Sequence, residues 1–274
     1  MKALTIFIVL IGNMLSLQAQ TLQGVLKEAG TGETIPYVNI GVVGKNIGTV
    51  SDEDGQFKLV VPPGHSNEVL RISMLGFATR DFKVAEIEAL LGNSKTILLS
   101  PATVEMEQVV ISNRKSHTKV LGNKTESQST TVGFNNNVLG YEIGMIMKIR
   151  KSPSLLKTFT ASIASSNNKP VKMRLNFYSL KKGMPDQLLI NKNIIVTAPA
   201  NNDKLLVDLT PYNIMVEDDF FVSLEWIESA PGQGIMFSAG LLAKPLMARG
   251  TSQGNWEKIG MVGVGFTVES MYWD

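Results

Sequence analysis

The chain has 274 residues, of which 44% are hydrophobic and 18% charged, with 26 Lys and Arg against 24 Asp and Glu and no Cys. That balance is globular rather than disordered. The absence of Cys excludes disulfides, thiolate metal sites, a Cys nucleophile and the lipid-bearing Cys of a bacterial lipoprotein. Residues 20–112 carry 7 basic against 11 acidic side chains (−4) and residues 113–274 carry 18 against 13 (+5), in no block of like charge. Without a stripe of basic and aromatic residues, nucleic acid is not an expected partner.

Residues 1–19 read as an export signal. Lys2 supplies the positive end, Ala3 to Leu17 is mostly apolar, and Leu17-Gln18-Ala19 offers a small residue at the cleavage point. The mature chain is expected to start near Gln20 and to be periplasmic or at the cell surface. No later stretch reaches the about 20 charge-free apolar residues of a membrane helix, so no membrane span is expected.

Residues 20–112 alternate short β-type runs with turns. Thr21 to Leu26 opens the series, and Thr31-Gly32-Glu33 is a turn. Tyr37 to Val43 predicts a strand with Tyr37, Asn39, Gly41 and Val43 on one side. Asp52-Glu53-Asp54-Gly55 predicts a tight hairpin turn, and residues 56–61 a strand stopped by Pro62-Pro63. Strands follow at 69–74, 78–82, 96–99 and 109–111, with a helical turn or two at 84–91. About seven strands in ninety residues describe an antiparallel sandwich. The acids at 52–54 lack the spacing and closing Glu of a calcium loop, and Gly41, Gly44 and Gly48 lack the order of a phosphate-binding loop.

The set Gly24-Val25, Thr31 to Ile40, Gly48 to Phe57, Ile72 to Phe77 and Glu107 to Ile111 resembles the carboxypeptidase-regulatory-like domain. This resemblance implies a transthyretin-like β-sandwich, of the kind found at the front of TonB-dependent transporters and other Gram-negative envelope proteins. It does not imply peptidase activity, because in carboxypeptidases the module is an accessory. The residues after Ile111 are too few to hold both the plug and the barrel of a transporter, so a transporter is not the expected reading.

Residues 113–137 are rich in Ser, Thr, Asn and Lys and read as a linker or an edge segment. From 138 to 274 the pattern is β again, with strands expected at 141–150, 155–164, 171–180, 188–196, 204–209, 220–228, 235–239 and 261–272. The fold class is therefore all-β: two β-sandwich domains, 20–112 transthyretin-like and 138–274 jelly-roll-like. Residues 174–178, 207–212 and 220–226 resemble jelly-roll modules of secreted bacterial proteins, some of which bind carbohydrate.

Catalytic patterns are missing. The two His residues, His65 and His117, have no partner at a diagnostic spacing, and no G-x-S-x-G, H-E-x-x-H or other metal motif occurs. Glu225 and Glu228 are the carboxylates nearest to aromatics, but three apart on one strand they are expected to face opposite sides. No cofactor and no catalytic residue is expected. The ligand-binding candidates are aromatic: Trp256, in the polar loop 250–257, then Trp226 and Tyr178, with Tyr272 and Trp273 as further rings able to stack on a sugar. Trp226 has a competing reading as a core residue of an alternating strand. The expected function is a non-catalytic exported binding or structural module recognising an envelope protein or carbohydrate, with a secreted glycosidase-like hydrolase as the alternative.

Overall fold

The computed structural model describes residues 19–102, 115–134, 138–166, 169–200, 204–229, 232, 234–241 and 245–274. The expected signal sequence up to residue 18 and the expected strand at 109–111 lie outside these. Strand content dominates, and no helix among the described residues is long and apolar enough to cross a membrane.

The first sandwich contains β1 (Gln20–Glu28), β2 (Asn39–Val42), β3 (Gly48–Val50), β4 (Gln56–Val61), β5 (Val69–Ser73), β6 (Arg80–Lys83), α1 (Val84–Asn93) and β7 (Thr96–Leu99). One sheet runs β4-β1-β7 and the other β3-β2-β5-β6. β4 shows why these residues form a half-buried strand, since Phe57, Leu59 and Val61 point inward while Gln56, Lys58 and Val60 point out. Asp52 stabilises the preceding turn, its Oδ1 accepting from the amides of Asp54 at 3.0 Å and Gln56 at 2.8 Å. Gly55 supplies the positive φ of 72° that the turn needs. The segment expected to hold a turn or two of helix is the ten-residue α1, which buries Val84, Ile87 and Leu91. β7 follows it and pairs with β1 in parallel, in register Val25↔Thr96.

The second sandwich begins inside 113–137, the stretch expected to be a linker or an edge segment. Its strands are β8 (Ser116–Gly122), β9 (Thr131–Phe134), β10 (Glu142–Met147), β11 (Ser154–Ser166), β12 (Val171–Lys181), β13 (Met184–Leu188), β14 (Ile194–Ala198), β15 (Lys204–Asp208), β16 (Met215–Val216), β17 (Phe220–Trp226), β18 (Ile235–Leu241), β19 (Leu246–Arg249), β20 (Glu257–Ile259), β21 (Val262–Val264) and β22 (Phe266–Trp273). One sheet runs β13-β12-β17-β10-β19-β20, with β14 also on β12. The other runs β21-β18-β11-β22-β8, with β15 and β16 on β11 and β9 on β18. Between them lies a core that includes Phe134, Phe159, Phe177, Phe220, Phe237 and Phe266. β8 and β9 are thus paired strands of this sheet, and β8 sits at its edge, which is why it is so polar.

Every residue of β17 is buried, although Ser223 and Glu225 point to the side of the sheet away from that core. The first sandwich covers that side. Tyr37 and Val50 pack on Ile227, with Leu139 alongside. A loop at 250–255 lies across the backbone of β2 and β3: a Cβ at Gly41 would stand 2.2 Å from the Ser252 carbonyl oxygen, and one at Gly48 2.4 Å. Only glycine permits that approach.

Candidate functional site: a charged row beneath the first sandwich

The seven-stranded sheet sets four ionisable side chains in one cross-strand row. Arg174 on β12 pairs in register with Glu225 on β17, Glu225 with Glu142 on β10, and Glu142 with Arg249 on β19. The order is plus, minus, minus, plus, with both Glu side chains fully buried and Arg174 only 4% exposed.

Glu142 is the most heavily bonded member. It accepts from Arg249 Nη2 at 2.6 Å, Asn176 Nδ2 at 2.9 Å and the Tyr178 hydroxyl at 3.1 Å, and from the Ser223 hydroxyl. Glu225 accepts from Arg174 Nη1 at 3.3 Å and Asn176 Nδ2 at 3.2 Å through the same oxygen, leaving Oε1 buried without a partner. Burial pushes the Glu225 carboxyl above its ordinary value, Arg174 opposes that shift and Glu142 adds to it. Burial works against the Arg249 charge, but Glu142, Tyr178 and Glu225 together hold the guanidinium above its usual value. Burial and Glu142 raise the Tyr178 phenol well above its ordinary value, so its hydroxyl stays protonated and donates.

The first sandwich closes this row through its backbone. Arg174 Nη2 donates to the Tyr37 carbonyl, which is turned toward it by a φ of 57° at a bulky residue. This is also why the strand expected from Tyr37 begins only at Asn39. On the rim, Lys172 Nζ reaches Glu53 at 2.6 Å, the Tyr37 hydroxyl at 2.7 Å and Glu228 at 3.1 Å. These contacts raise the Lys172 pKa, the Glu53 hydrogen bond foremost. In the 250–255 loop, Gly44 N donates to the Gln253 carbonyl at 2.9 Å, Gln253 Nε2 to Ser73 Oγ at 2.9 Å and Asn255 Nδ2 to the Gly44 carbonyl at 3.0 Å.

Of the sequence candidates, Tyr178 and Trp256 come together and Trp226 stands apart. Trp226 is fully buried between the sheets, 5.5 Å from the Phe134 ring, so no ligand reaches it. This corrects its place among the binding residues. Its side chain alternates inward with Leu224 and Val222, as a core residue of β17 must. Trp256 is half-buried rather than free in a loop, because its ring meets Phe221 at 4.9 Å and Tyr178 at 5.8 Å edge-on, with the Arg249 guanidinium 5.0 Å from its centroid. The loop that precedes it docks one sandwich on the other instead of presenting a platform. Tyr272 stacks on His117 at 5.6 Å, far along the other sheet, and Trp273 is half-buried at the end of β22. Glu225 and Glu228 do not obey strand alternation, since β17 ends at Trp226, and both reach basic side chains on one face of β12. Sequence reasoning missed Glu142, Arg174, Asn176 and Arg249. The available signal was charged residues at the outward positions of otherwise apolar strands.

Beside the row opens a cleft of about 240 Å³. Arg174, Asn176 and Tyr178 form its floor, and Asn39, Ser73 and Phe77 of the first sandwich are among its walls.

Comparison with known proteins identifies one of the two sandwiches. Residues 22–111 match the CarboxypepD_reg-like domain family, so the first sandwich is a carboxypeptidase-regulatory-like domain. The chain is 26% identical over 208 residues to TonB-dependent receptor P3 of Formosa agariphila, a match covering 74% of this chain and 19% of the receptor. It therefore spans about a fifth of that relative's length. Among solved structures, the cysteine protease and lectin-like domains of Cwp84, a surface layer associated protein of Clostridium difficile, align over 95% of this chain and 65% of that one at 8% identity, TM-score 0.42. Infectious bursal disease virus, Gx strain, aligns over 94% of this chain and 61% of that one at 9% identity, TM-score 0.26. At these scores neither likeness extends to function.

Proposed function

We propose that this protein is an exported, non-catalytic module of a Gram-negative cell envelope, in which two sandwiches form one recognition unit for an envelope protein or glycan. The observation that carries it is the Arg174–Glu225–Glu142–Arg249 row. Glu142 and Glu225, the acids of the row, are fully buried, ion-paired and shared with Asn176, and Glu228 is tied to Lys172. Such a row supports holding one surface against another and disfavours a glycosidase, whose two carboxyls flank an accessible bond. The carboxypeptidase-regulatory-like domain and the receptor relative support the envelope assignment.

The test is fractionation of the tagged full chain in a Gram-negative host, followed by assay of the recovered protein on aryl glycosides. A processed chain in the periplasm or at the surface, with no turnover, is expected. Retention in the cytosol would refute the envelope reading. Turnover abolished by Glu225→Gln would establish the hydrolase instead.

A further inference from the structure

The cleft beside the charged row has the chemistry of a sugar subsite. Its floor is built rather than incidental. Arg174 is 4% exposed, yet its Nε has no partner. Asn176 is 3% exposed and directs its amide nitrogen at Glu142 and Glu225, which leaves Oδ1 as an acceptor. On the wall, Ser73 Oγ accepts from Gln253 and keeps its own proton to donate, and Asn39 Oδ1 accepts from the Ser252 hydroxyl and keeps its amide hydrogens. Asn193 contributes a further amide, held only against the Met74 sulfur at 3.7 Å. Donors and acceptors are thus interleaved, as alcohol groups that both give and take hydrogen bonds require.

The cleft presents no uncompensated charge. Arg174 is balanced by Glu225, and Glu142 by Arg249. An anionic ligand would gain little here, whereas a neutral one meets polar partners whose orientation is already fixed. Phe77 and Leu188 add an apolar wall suited to the C–H face of a ring. A volume of about 240 Å³ lies just under the about 300 Å³ at which pockets for drug-sized ligands begin, a size for one ring rather than several.

We propose that this cleft between the sandwiches binds one pyranose, the terminal residue of a neutral glycan, with Asn39, Ser73, Asn176 and Asn193 bonding its hydroxyls and Phe77 covering its apolar face. This rests on the envelope-recognition reading and gives that reading its ligand class.

The full chain is titrated with the methyl glycosides of β-glucose, β-galactose and α-mannose and with methyl β-glucuronide, followed by side-chain amide NMR and calorimetry. At least one neutral glycoside should saturate and shift the amide signals of Asn39, Asn176 and Asn193. Phe77→Ala and Asn193→Ala should each weaken it about tenfold or more; the melting midpoint should stay unchanged for Asn193→Ala, whereas Phe77→Ala, which also takes a ring from the first sandwich's core, should lower it. The same sugar at the end of a tetrasaccharide should bind at least as well, and loss of binding there would overturn the chain-end assignment. Saturation by the glucuronide alone, binding unchanged in both variants, or no amide shift with any glycoside would overturn the subsite. Fractionation is independent of all these results, so a cytosolic chain would defeat the envelope reading while leaving the sugar titration standing.

Discussion

Glu142→Ala is expected to destabilise the protein by about 3–5 kcal/mol, the range for removing one partner of a buried ion pair. The carboxylate is fully buried and accepts from Arg249, Asn176, Tyr178 and Ser223 at once. Truncation takes an acceptor from all four donors, although Asn176 keeps Glu225 and Arg249 keeps the Tyr178 hydroxyl. Arg249 suffers most, because its Nε is already buried without a partner and its charge is held by Glu142 before any other residue. Denaturant unfolding of the variant and of Glu142→Gln separates charge from shape. The Gln variant keeps an acceptor for Asn176 and Ser223, so it should lose less than the Ala variant. A loss under about 1 kcal/mol for Glu142→Ala, the scale of a surface pair, would mean that water reaches the row and that it is not buried as described.

Trp226→Ala is the other large effect, also at about 3–5 kcal/mol, from lost burial and the cavity left behind. The ring lies among Phe134, Leu224 and Met173 with no exposed surface, and the strand carrying it is covered on both faces, so the void cannot be filled by relaxation toward solvent. Thermal unfolding of the variant measures this. A midpoint close to that of the parent chain would be incompatible with a core position.

Much of the fold could be read from residue order because β-sandwich strands carry a period of two. β4, β12 and β17 all lie within a residue or two of where alternation puts them. The failures have physical causes. β8 buries only Leu121 of its seven residues, so residue order left 113–137 open between a linker and an edge segment until its pairing with β22 set 116–122 at the sheet edge. β19 is four residues long with Leu246, Met247 and Ala248 all buried, so no alternation marks it. Tyr37 leaves its strand because its carbonyl turns to Arg174, 137 residues away. The same distance in sequence hid the site. Glu142, Arg174, Glu225 and Arg249 lie on four strands, and only the register of the finished sheet sets them in a row. Trp256 was legible as an unusual ring in a polar loop. What the sequence could not convey is that Ser252, Gln253 and Asn255 of that loop grip the first sandwich, while the ring itself turns to Tyr178 and Phe221.

The central claim is that the two sandwiches are one unit, closed over a buried charged row and sharing a cleft. Differential scanning calorimetry of the full chain tests it most directly, since opening the interface would take the Tyr37 carbonyl from Arg174, expose the buried Arg174–Glu225 pair to water and uncouple the 250–255 loop. The account predicts a single transition whose calorimetric and van't Hoff enthalpies agree. Two resolved transitions, with the carboxypeptidase-regulatory-like sandwich melting independently of the second, would contradict it.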